Sequence, residues 1–179
     1  MFAWPPFLLG DEIYDLTHLH PRQVTYIQQA KDTRPERRYK VQVFFGLHCF
    51  TRSPAPGEVV DPVWHYSDNR ETRVFCVRRW ALSKLLPAVV EGLAERSCYH
   101  TGKGNFVVIE LVDEAGFVQE YEVYFAASRA AGHNGLNLYV QSAYVRDTAH
   151  ANRPKRKSIR LQIILYNTLN NKAIKAPPH

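Results

Sequence analysis

The chain has 179 residues, a formal net charge of +6, 45% apolar residues and 22% charged ones. That length suits one domain, and a domain of this size hides about 70% of its unfolded surface, so it needs neither disulfides nor a metal to fold. The composition excludes a disordered chain, no apolar run approaches the roughly 18 residues that cross a bilayer, and the positive surplus favours acidic partners.

Residues 1–10 hold Trp4, Pro5, Pro6 and Phe7 with no basic start and no small-residue cleavage site, so they do not read as a signal peptide. Residues 12–17 (E-I-Y-D-L-T) and 23–28 (Q-V-T-Y-I-Q) read as short strands. Residues 31–38, charged and holding Pro35, read as a solvated connector. In residues 39–50 (Y-K-V-Q-V-F-F-G-L-H-C-F), Val41, Val43 and Phe45 share one face of a strand, with Gly46 marking a bulge. Residues 53–62 (S-P-A-P-G-E-V-V-D-P) are a loop. Cys49, Cys76 and Cys98 are odd in number and widely spaced, which suits reduced thiols and a cytoplasmic location.

Residues 72–79 (T-R-V-F-C-V-R-R) are a further candidate strand. Leu82, Leu85, Leu86, Val89, Val90 and Leu93 then recur at helical spacing, with Ser83 as N-cap and Pro87 near the first turn. After a loop over 99–105, residues 106–112 and 117–126 flank a D-E-A-G turn and predict a β-hairpin. Residues 136–145 form another strand, residues 153–157 (R-P-K-R-K) are strongly basic, and 159–169 form a helix or a strand running into one. The expected fold is therefore α+β: a mainly antiparallel sheet, one clear helix and a second at the C-terminus. It forms a single domain whose β-rich N-terminal part, about 1–81, precedes a helix-plus-sheet part, about 82–179.

Strict alternation along 136–145 puts Leu138, Val140, Ser142 and Tyr144 on one strand face, with Arg146 at its end. A hydroxyl and a phenol two residues apart can meet one phosphate. The order helix, loop, antiparallel strands, with S-A-Y at 142–144, resembles the barnase–EndoU–colicin–RelE superfamily of small RNases over about residues 83–172. The resemblance implies metal-independent cleavage of RNA, in which the 2′-hydroxyl attacks the adjacent phosphate. Ser142 and Tyr144 would contact that phosphate, and His100 and Lys103 would be the basic members, by their position after the helix. His100 would serve as base or acid, and Lys103 and Arg146 would hold the phosphate. It further implies a toxin-like bacterial or phage RNase with an acidic, antitoxin-like inhibitor.

Two basic clusters with interleaved aromatics stand apart from that motif. Arg70, Arg73, Arg78, Arg79 and Trp80 crowd one segment, and Arg153, Lys155, Arg156, Lys157 and Arg160 another. Together they suit a phosphate-tracking surface with stacking platforms, and the same faces would serve a non-enzymatic nucleic-acid-binding or regulatory module, or a protein-interaction (inhibitor) protein. His18, His20, His48, Cys49, His65 and Cys76 have no zinc-binding spacing, so no metal is expected. No phosphate-binding or dinucleotide motif occurs, so no cofactor is expected either. Glu120 and Glu122, two apart on a strand, read as the solvent side of the hairpin.

Overall fold

The computed structural model describes residues 3–132, 135–146 and 157–176. Two short strands, β1 (Phe7–Leu9) and β2 (Glu12–Tyr14), pair with each other. β3 (Arg22–Gln28) and β4 (Arg37–His48) form an antiparallel ladder, Tyr26 opposite Tyr39. β5 (Thr51–Arg52), β6 (His65–Ser67) and β7 (Thr72–Phe75) make a small sheet of their own. Helices α1 (Val77–Ser83) and α2 (Leu86–Glu91) follow, then β8 (Cys98–His100), β9 (Phe106–Glu114), β10 (Phe117–Arg129), β11 (Leu136–Val145), β12 (Ser158–Ile159) and α3 (Leu161–Leu169).

The large sheet has the order β12-β8-β9-β10-β11-β4-β3 and is antiparallel throughout, except where β11 runs parallel to β4. β8 to β11 form an antiparallel meander after α1 and α2, and the N-terminal strands β4 and β3 extend it from the other side. Both parts of the chain thus share one sheet and one core, in which Val41, Val43, Leu138, Val140, Val123, Leu161 and Ile164 are all buried. The α+β class with a mainly antiparallel sheet is as the sequence predicts. Among the described residues, no helix is long and apolar enough to cross a membrane.

Local chemistry explains where the elements depart from expectation. The segment 72–79 is a strand only as far as Phe75; Arg78, Arg79 and Trp80 are helical, in α1, whose first turn closes with Trp80 N–H on Cys76 O at 2.8 Å. Ser83 ends that helix rather than opening one. Its Oγ donates to Trp80 O at 2.7 Å, the local back-bond that competes with continued helix. Pro87 has no N–H to offer the carbonyl four residues earlier, so the apolar period of 82–93 is divided between α1 and α2, with Pro87 in the first turn of the second. Residues 98–100 are a strand, not loop, held between β9 and β12. The C-terminal segment takes the second of its two alternatives: a two-residue strand, then α3.

The 106–126 hairpin is present, closed tightly by Ala115 and Gly116 at φ 54° and 82°. Positive φ at both central residues gives the turn the twist that a two-residue hairpin requires. Gly46 does lie at a bulge. Phe45 is opposite Val140 while His48 is opposite Ser142, so β4 carries one residue more than β11 across that step. A Cβ at Gly46 would lie 2.5 Å from the Tyr139 hydroxyl and 2.9 Å from Gln141 O, so only glycine allows this approach.

Candidate functional site

A second register shift decides which face the late-strand hydroxyls take. Tyr124 is opposite Ser142 while Phe125 is opposite Val140, so Gln141 is an extra residue in β11. Strict alternation therefore fails at this point. Leu138 and Val140 are buried, and beyond the bulge it is Ala143 that is buried, while Ser142 and Tyr144 stand on the opposite face. The expectation that all four share one face is corrected, although Ser142 and Tyr144 do remain on a face together.

That face holds a pocket of about 400 Å³ lined by Thr101, Lys103, Asn105, Tyr124, Ser142, Tyr144 and Arg146. Four of the residues singled out from the sequence, Lys103, Ser142, Tyr144 and Arg146, meet there. They come from the β8–β9 loop and the end of β11. The tyrosines of neighbouring strands, Tyr124 and Tyr144, stack with ring centroids 5.6 Å apart and planes 16° apart. The loop is tied down by Thr101, which hydrogen-bonds both the side chain and the backbone carbonyl of Asn105. Asn105 Nδ2 in turn donates to Gln141 Oε1 at 2.6 Å, linking the loop to the bulge.

Beneath the tyrosines lies Glu122, 1% exposed, which corrects the expectation that it faces solvent with Glu120. Tyr124 Oη donates to its carboxylate at 2.6 Å and Arg146 Nε at 3.0 Å. The hydrogen bonds to Tyr124 and Glu122 raise the Arg146 pKa above its ordinary value. Burial first, then the bond to Glu122, raises that of Tyr124. Arg79 sets its guanidinium 5.1 Å from the Tyr144 ring centroid and donates to the carbonyls of His48 and Thr51, at 3.3 and 2.7 Å. Burial lowers its pKa. The charge of Arg146 is matched by Glu122, which leaves Lys103 as the lining cation with no ion pair among the described residues.

His100 is not among these residues. It stands with its ring 5.4 Å from Phe106, and Phe106 packs on Phe125, on the opposite face of the sheet from Tyr124. Its pKa is lowered by burial and then by the charge of Lys157. The positional argument that grouped it with Lys103 fails because β8 ends between them: His100 is fixed on the strand opposite Phe106, and Lys103 lies in the loop beyond it.

The first basic cluster is largely neutralised within the fold. Arg73 bonds Thr51 and Glu71, and Arg78 makes a bidentate pair with Glu114 and reaches Gln119 at 2.9 Å. The Trp80 indole donates to Asp15 O at 2.7 Å, and Lys84 Nζ lies 3.8 Å from the centre of its ring, so this tryptophan is no open stacking platform. Of the second cluster, Arg153, Lys155 and Arg156 lie outside the described residues; the Lys157 carbonyl accepts from His100 N–H at 2.9 Å. The histidines weighed for zinc serve other partners: His18 Nε2 meets Ser83 Oγ at 2.7 Å, and His48 Nε2 meets Glu71 at 2.7 Å. Among the described residues, no group of three or more His, Cys, Asp or Glu is placed to hold a metal.

Fold and site together define an α+β protein with a polar, cation-bearing pocket at a bulged strand end. A family model described as the YjaZ family matches residues 6–169, and the chain belongs to that family. Protein YjaZ of Escherichia coli (strain K12) is 32% identical over 178 residues, spanning 97% of this chain and 95% of that protein. No solved structure matches. These names state no activity.

Proposed function

We propose that the chain is a cytoplasmic RNA-binding protein and that its pocket seats a backbone phosphate of single-stranded RNA. What supports this above all is convergence: Lys103, Ser142, Tyr144 and Arg146, from two separated segments, line one pocket. Ammonium, hydroxyl, phenol and guanidinium groups are the donors a phosphodiester takes. The stacked Tyr124 and Tyr144 add an aromatic wall of the kind bases stack upon.

A second reading is toxin-like, metal-independent cleavage of the seated phosphodiester, with an acidic protein inhibitor as partner. Lys103 and Tyr144 favour it: an amine and a phenol lining the pocket are groups that can take the proton of the attacking 2′-hydroxyl and return one to the leaving 5′-oxygen, and neither makes an ion pair among the described residues. Lys103 would then take the part that the sequence assigned to His100.

One experiment serves both readings. Labelled single-stranded RNA is incubated in EDTA with the wild type and with a Lys103→Gln/Tyr144→Phe variant, and binding and RNA length are followed together. Binding that weakens with salt and falls tenfold or more in the variant is the expected outcome. Products ending in 2′,3′-cyclic phosphate from the wild type alone would establish cleavage as well. RNA neither bound nor cut would overturn both.

A further inference from the structure

A second pocket, of about 640 Å³, opens on the other side of the β8–β9 loop. His100 and Phe106 line it from the sheet, Arg129 from the end of β10, and Thr168, Lys172 and Ile174 from the end of α3 and beyond. None of its lining residues is an aspartate or a glutamate. Elsewhere in the fold Arg22, Arg38, Arg52, Arg70, Arg73, Arg78, Arg96 and Arg146 all pair with carboxylates. Among the described residues, Arg129 and Lys172 make no such pair; Lys172 only approaches the Tyr166 ring, at 5.1 Å. Two cations lining one cavity that has no carboxylate in its lining give it a positive potential, which favours a bound anion.

Two further observations bear on the site. Among the described residues His100 Nε2 is buried without a hydrogen-bond partner, so the ring that lines the cavity is not committed to another polar group. The C-terminal end of α3 would ordinarily turn bare carbonyls toward the cavity and disfavour an anion. Here they are capped. The N–H groups of Asn170, Asn171 and Lys172 take the carbonyls of Tyr166, Thr168 and Asn167 at 3.1, 3.2 and 2.8 Å.

We propose that this pocket binds a nucleoside monophosphate or a closely similar phosphomonoester. Arg129 and Lys172 hold the phosphate, helped by the Thr168 hydroxyl, and the ring rests on the apolar side that Phe106 and Ile174 provide. A guanidinium fork, an ammonium and a hydroxyl supply more donors than a carboxylate uses and suit the three oxygens of a terminal phosphate. The cavity is far larger than inorganic phosphate and falls in the range of small-ligand sites. It shares only Asn105 with the first pocket, so it stands whether or not that pocket takes RNA.

The test uses the full chain carrying Lys103→Gln/Tyr144→Phe, so that the first pocket contributes little. Adenosine monophosphate and inorganic phosphate are titrated separately by calorimetry. The nucleotide should bind at one site per chain, at least fivefold more tightly than phosphate, and should shift the His100 ring resonances. Adding Arg129→Gln/Lys172→Gln should weaken it tenfold or more without moving the thermal midpoint, because both side chains are exposed. No saturable nucleotide binding, or binding indifferent to the Arg129 and Lys172 substitutions, would overturn the proposal. Equal affinity for phosphate and nucleotide would refute the nucleotide assignment.

Discussion

Replacing Arg146 with alanine tests the electrostatics beneath the pocket. The Glu122 side chain is 2% exposed and that of Arg146 20%, so the pair is largely desolvated and its carboxylate has little access to water. Removing one partner of a buried ion pair typically costs 3–5 kcal/mol, since the remaining charge stays buried without its counterion. Tyr124 still donates to Glu122 at 2.6 Å, which places the expected loss for Arg146→Ala near the lower end, about 3 kcal/mol. In a chain of this length that corresponds to a fall in Tm of roughly 6–12 °C. Adding Glu122→Gln removes the buried charge while keeping an acceptor for Tyr124, and should recover about 2 kcal/mol of the loss. Urea unfolding of the wild type, both single variants and the double variant gives the coupling directly, provided the m-value is constant. A loss below about 1 kcal/mol for Arg146→Ala, or a double variant as unstable as the single, would refute the reasoning.

Three further outcomes follow from buried groups elsewhere. The Tyr121 hydroxyl is buried with no hydrogen-bond partner among the described residues, so Tyr121→Phe should stabilise the fold by about 1 kcal/mol in urea unfolding; a destabilised variant would contradict this. Burial lowers the pKa of His18 below 6.5, so the unfolded chain binds more protons and stability is lost as pH falls below 6.5 toward the folded value. The same sign holds for His100, which burial and Lys157 both lower. Unfolding midpoints at pH 7.5 and 5.5 should therefore differ, and His18→Gln should shrink the difference. Burial pushes the Cys49 and Cys98 thiols up to about 12, whereas Cys76 is half-buried. Iodoacetamide should accordingly label Cys76 first in the native protein, and the other two only on unfolding, as peptide mass mapping will show.

Much of the fold was legible because its signals are local. Alternation over 39–47 and the D-E-A-G turn specify β4 and the β9–β10 hairpin without help from distant residues. One helix starting at Ser83 is expected where there are two, because a single apolar period runs through both and only the missing N–H of Pro87 separates them. Lys103, Ser142, Tyr144 and Arg146 could be chosen from chemistry and order alone. Glu122 could not. An E-x-E pair in a hairpin looks solvated, and its burial is set by Arg146, twenty-four positions away, and by the tyrosines above it. The basic clusters misled for a related reason. Arg78 is neutralised by Glu114, a residue on another element that no local pattern connects to it.

The two register shifts explain why a pocket forms at this end of the sheet. β4 holds an extra residue at Gly46 against β11, and β11 holds an extra residue at Gln141 against β10, so the irregularities lie side by side on neighbouring strands. Without the second, β11 would keep its phase, and Ser142 and Tyr144 would follow Leu138 and Val140 into the core, leaving Ala143 on the polar face. Two hydroxyls would then be buried among apolar side chains, at a cost of roughly 1–3 kcal/mol each if unpaired. The bulge reverses the phase, buries Ala143 instead and stacks Tyr144 on Tyr124. Gly46 makes room for it, because any side chain there would strike the Gln141 carbonyl at the bulge itself. The sequence S-A-Y thus has chemical meaning only in combination with a glycine nearly a hundred residues earlier, on a strand that reaches β11 by parallel pairing.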